Sequence, residues 1–69
     1  MKRKDLDTLT VLTAINEHGA DAIDHLLETY PEKIILAAYR RDAAYLDYGV
    51  SERRPWLEPE GRRYIREHT

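Results

Sequence analysis

Apolar residues recur at three- and four-residue steps from Leu6 onward. Leu6, Leu9, Val11, Leu12 and Ile15 fall on one side, and Thr8, Thr10, Thr13 and Glu17 on the other. A helix returns positions three and four apart to one face, so the spacing predicts a first helix over residues 5–18. Asp5 or Asp7 can accept backbone N–H bonds in its first turn, and Gly19 supplies the left-handed position that ends it. A second stripe, Ile23, Leu26, Leu27 and Tyr30, predicts a helix over 21–29. Pro31 has no N–H and disfavours the helical conformation in Tyr30, so the chain must turn a corner there of roughly three residues.

Beyond the corner, Pro31 suits the first turn of a third helix, predicted over 31–43. Glu32 lies near its positive end, Ile34, Ile35 and Ala38 are expected inside, and Glu32, Lys33, Tyr39, Arg40 and Arg41 outside. The pattern then changes. Tyr45, Leu46, Tyr48 and Val50 are strand formers, Gly49 is a turn residue, and Ser51 to Arg54 is wholly polar. With Pro55, Trp56, Leu57 and Glu58 returning, this reads as a hairpin over 45–58, Pro55 standing at a strand start because it cannot donate to a ladder. Pro59 and Glu60 open a last helix over 59–68, with Tyr64, Ile65 and His68 turned inward. The expected fold class is mainly α with a small β-hairpin, in the order helix, helix, helix, strand, strand, helix.

The 69 residues make one domain, 1–69, and a core this small gains from a second copy, so a homodimer is expected. The chain has no cysteine, which excludes disulfides, thiolate chemistry and cysteine-held metal clusters. No apolar run reaches a membrane span, and the basic arm of Lys2, Arg3 and Lys4 at residues 1–4 leads into an amphipathic segment. A cytoplasmic protein without membrane contact is expected. The net charge of −2 weighs against nucleic acid, but it is unevenly spread. Residues 1–35 carry −3, while residues 36–69 carry +1 with arginine as their only basic side chain.

The stretch from Tyr45 to Ile65 resembles the wing and following helix of winged helix-turn-helix regulators of the small prokaryotic or phage type. Such proteins often read as a strand ending in leucine, a polar loop, a second strand, and then leucine-threonine-proline-glutamate-glycine-arginine. Here the last part is Leu57-Glu58-Pro59-Glu60-Gly61-Arg62, with Glu58 where threonine usually caps the helix. The resemblance is in motif over 44–65 and in architecture alone over 5–43. It implies a winged helix-turn-helix in which the third helix enters the major groove of double-stranded DNA and the hairpin lies on the backbone or minor groove. The implied DNA contacts are Lys33, Arg40 and Arg41 on the helix, and Arg53 and Arg54 at the hairpin tip. A transcriptional regulator or repressor would follow, with no enzyme activity and no cofactor.

Each of these residues also has a plain reading. The helix cations are a solvated face, and the arginine pair solubilises an exposed turn. Arg62, Arg63 and Arg66 fit ion pairs with Glu58 and Glu67 better than they fit a DNA backbone. Trp56 is expected under the hairpin against Tyr45 or Tyr48, the alternative being that Trp56 and Tyr48 anchor a partner chain. His18 and His25, with Asp21 and Asp24 between them, lack a ligand spacing, so no metal is expected, and Ser51 has no histidine near it in sequence to activate it. The rival function is a winged-helix protein-interaction module that binds no DNA. The two part on geometry: one carboxylate-free face of Arg40, Arg41, Arg53 and Arg54 favours DNA, and a face interrupted by acids favours protein.

Overall fold

A computed structural model describes residues 5–69; the basic arm at 1–4 lies outside the described residues. Helix α1 spans Thr8–His18, a single 3-10 turn Gly19–Asp21, α2 Ala22–Leu26, and α3 Glu32–Arg41. Two-residue strands follow, β1 Leu46–Asp47 and β2 Trp56–Leu57, and α4 Pro59–His68 closes the chain. The protein is thus mainly helical with a small antiparallel hairpin, in which Leu46 pairs with Leu57 and Asp47 with Trp56.

Helix α1 starts later than its apolar stripe suggests, because Asp7 is the cap. Its carboxylate accepts a 2.8 Å bond from the Thr10 N–H, which satisfies one of the free donors of the first turn, and the Thr10 side chain followed by this backbone bond lowers the Asp7 pKa. Leu6 precedes the helix and is buried all the same. At the other end Gly19 takes φ 65°, and its N–H bonds back to the Ile15 carbonyl. A side chain there would strain the backbone although the space around it is open.

The second helix is shorter than the expected 21–29. It ends at Leu26, and residues 27–30 wind down through bonds such as Thr29 N–H to the Leu26 carbonyl at 3.0 Å. The corner before α3 therefore takes five residues, 27–31, where about three were expected. The physical reason lies in Pro31, which is extended at φ −70°, ψ 153° and serves as the cap residue, not the first residue, of α3. Helices α2 and α3 remain separate elements.

The core forms where α1 meets α2, α3, β2 and α4. Val11, Leu12, Ile15, Ile23, Ile35 and Leu46 are buried in it, each contributing on the order of 1.5–3 kcal/mol. Two expectations for α3 are corrected. Tyr39, expected outside, is fully buried, and Ile34, expected inside, is 40% exposed. The buried stripe is Ile35, Ala38, Tyr39 and Asp42, one face at helical spacing, with Asp42 only 2% exposed. Helix α4 begins against the hairpin: the Glu58 N–H bonds the Tyr45 carbonyl at 3.0 Å, and Gly61 packs on that same carbonyl. No helix among the described residues is long and apolar enough to cross a membrane.

Candidate functional site

Helix α3 and the eight-residue connection between the strands, 48–55, lie side by side. Ion pairs hold them there. The Arg40 guanidinium donates to a Glu52 carboxylate oxygen at 2.7 Å, and Arg53 pairs with Glu32 at the start of the helix. Arg54 reaches the other way, to Asp21 on the 3-10 turn at 3.3 Å. All these side chains are well exposed, so each pair is worth about 0–1 kcal/mol.

Arg41 stands apart from this group. Its guanidinium donates to both carboxylate oxygens of Asp42, at 2.9 and 2.8 Å, and to the Leu6 carbonyl at 2.8 Å. These bonds hold the charged form and push the Arg41 pKa upward, with Asp42 the main cause. The side chain that helical spacing grouped with Arg40 is thus turned toward the start of α1. Lys33 is exposed on α3 with no carboxylate at ion-pair distance among the described residues.

The five cations do not form a face of their own. Glu52 sits on Arg40, Glu32 on Arg53 and Asp21 on Arg54, and Asp42 holds Arg41. The field over such a surface is short-ranged and of mixed sign, which orients a partner with matching charges and does little to attract a polyanion. The pairs made by Arg40, Arg53 and Arg54 have no signal in the sequence, since the partners lie 12, 21 and 33 positions apart.

Trp56 is 48% exposed, which corrects the expectation that it closes the core under the hairpin. Its indole N–H donates to Glu58 at 2.9 Å, and Gly49 lies under the edge of the ring. Tyr48 is half-buried against the core. Strand alternation explains the difference: Leu57 takes the inward position opposite Leu46, so Trp56 before it must point out. Val50, at the far end of the connection, is fully exposed.

The remaining candidates are quieter. Arg63 pairs with Glu67 at 3.3 Å and Glu60 at 3.6 Å along α4. His18 and His25 stack with centroids 4.3 Å apart, and no group of three or more potential ligands that could hold a metal occurs among the described residues. No family model, curated protein or solved structure matches the chain.

Proposed function

We propose that this chain is a non-catalytic protein-docking module built on a winged helix-turn-helix plan. One observation carries the reading: each of the four arginines that a DNA-binding face would need is engaged by a carboxylate, with Glu32 and Glu52 interleaved on the α3 and hairpin side. A duplex carries one negative charge per roughly 1.7 Å of its axis and rewards unbroken positive surface. Paired charges on a surface that also exposes apolar groups, here Trp56, Ile34, Leu27 and Val50, are what a protein interface uses.

Double-stranded DNA remains the second reading. The placement of α3 and the 48–55 connection on a common side, with no carboxylate at ion-pair distance from Lys33 among the described residues, favours it. On that reading the protein is a regulator, a homodimer supplies the missing affinity, and phosphates displace Glu32 and Glu52 from their arginines. Fluorescence anisotropy with a mixed-sequence duplex, titrated from low salt upward, separates the two. The docking module leaves the anisotropy flat, while a photo-crosslinking residue in place of Val50 captures a protein. Salt-dependent binding that is lost on Arg53→Ala and Arg54→Ala overturns the docking reading.

A further inference from the structure

A groove of about 350 Å³ runs between the end of α1 with its 3-10 turn and the start of β2 and α4. Ile15, Pro55, Trp56 and Leu57 give it an apolar wall, and among the described residues its only charged lining is Arg54 and Arg62. This distinguishes it from three other surface grooves. The one of about 700 Å³ beside α3 carries Asp5 with Arg41, a third carries Glu17, and a fourth carries Glu60 and Glu67.

Both arginines have capacity to spare. Arg62 has no carboxylate at ion-pair distance among the described residues, and Arg54 holds Asp21 only at 3.3 Å, with both side chains mostly exposed. The Asn16 side chain on the rim makes no hydrogen bond among the described residues and is free to meet a peptide backbone. The bond from Trp56 to Glu58 satisfies the indole N–H and fixes the ring, so little side-chain freedom is lost when something packs on it.

Resting on the docking reading, we infer that this groove takes an acidic linear peptide: an aromatic or aliphatic residue seats against Trp56 and Leu57, and flanking carboxylates pair with Arg54 and Arg62. The occupant is chosen by charge. Arg62, with no carboxylate at ion-pair distance among the described residues, and Arg54, held only at 3.3 Å by Asp21, flank the apolar wall. They match separate carboxylates on either side of an apolar residue, each able to accept a bidentate pair. Buried aromatic and arginine contacts are also where interfaces concentrate their affinity.

Trp56 is the only tryptophan, so its emission reports the groove directly. The probe is the peptide Asp-Glu-Leu-Phe-Glu-Asp, titrated into the full chain; controls are the same peptide with lysine for every acid and a single-stranded oligonucleotide. The expected result is a saturable emission change with the acidic peptide alone, at least about tenfold weaker in Arg62→Glu and unchanged in Lys33→Glu. Calorimetry with Trp56→Ala, after circular dichroism shows that it folds, is expected to find the same loss. Equal binding of the lysine peptide, preference for the oligonucleotide, or indifference to Arg62→Glu overturns the assignment. Failure of the peptide while duplex DNA is also ignored and the Val50 crosslinker still captures a protein sinks the groove and leaves the docking reading standing. DNA binding lost on Arg53→Ala and Arg54→Ala sinks both.

Discussion

The Thr8 hydroxyl donates a 2.9 Å hydrogen bond to the carboxylate of Asp42, joining the first turn of α1 to the residue that ends α3, 34 positions away. Asp42 is the one charged residue buried among the described residues, and Arg41 grips both its oxygens while also holding the Leu6 carbonyl. The start of α1 and the end of α3 are thereby fastened to each other by polar bonds.

Removing that carboxylate strands its donors. Asp42→Ala is expected to destabilise the fold by about 1–3 kcal/mol in urea denaturation, and Asp42→Asn, which keeps an acceptor for Thr8, by less. Arg41→Ala should lower stability by about 1 kcal/mol and leave partner binding unchanged. Loss of binding without loss of stability would show Arg41 to be a contact residue.

Gly61→Ala should cost roughly 1–3 kcal/mol, although alanine is the better helix former by about 1 kcal/mol. A methyl group there overlaps the Tyr45 carbonyl oxygen, a backbone atom held by the Glu58 N–H, and comes within 3.2 Å of Leu57. Gly49→Ala meets only the Trp56 ring, at 3.7 Å, and should be tolerated. Thermal melts of the two variants are expected to differ clearly, and equal melting temperatures would refute this packing.

Burial pushes the Tyr39 hydroxyl from 10.0 up to about 12. The unfolded chain loses that proton near pH 10 while the native state keeps it, so stability that is full below pH 10 falls as the pH rises toward 12. The slope can approach about 1.4 kcal/mol per pH unit. Tyr39→Phe should flatten this alkaline limb, and because the hydroxyl has no hydrogen-bond partner among the described residues the change should cost little at neutral pH. An unaltered slope in the variant would assign the effect to the other tyrosines.

Charge interleaving on α3 and the hairpin is tested by Glu32→Gln with Glu52→Gln, which brings the net charge from −2 to zero. The double variant is expected to gain weak, sequence-indifferent duplex binding. Its log–log salt slope should be roughly −3 to −4, the value for Lys33, Arg40, Arg53 and Arg54 acting together. No gain at low salt would mean that these four cations do not act on one surface.

Most of the architecture could be read from residue periodicity and a few stop signals. The stripe of α1, the Asp7 cap, the glycine after His18, the corner at Pro31 and the paired segments around residues 46 and 57 all act locally. The rotation of α3 was not legible. Ile34 and Ile35 are equally apolar, and the phase is decided by Asp42, whose burial makes sense only once Thr8 and Arg41 are known to meet it. Trp56 escaped for a related reason: a strand of two residues is too short to show its alternation. Ion pairs between distant exposed residues, which decide how the arginines are presented, leave no trace along a chain.

The brevity of the two strands has a further effect on how the molecule behaves in a crowded solution. A long, flat outer strand offers rows of unpaired amide groups that recruit other chains into aggregates, and a two-residue edge is too short to serve as such a template. Insertions into the connection are also cheap, since each doubling of a flexible loop costs only about 0.6 kcal/mol in closure entropy. Residues 50 and 51 are therefore a place where a label or a grafted epitope can be carried without unsettling the helices beneath.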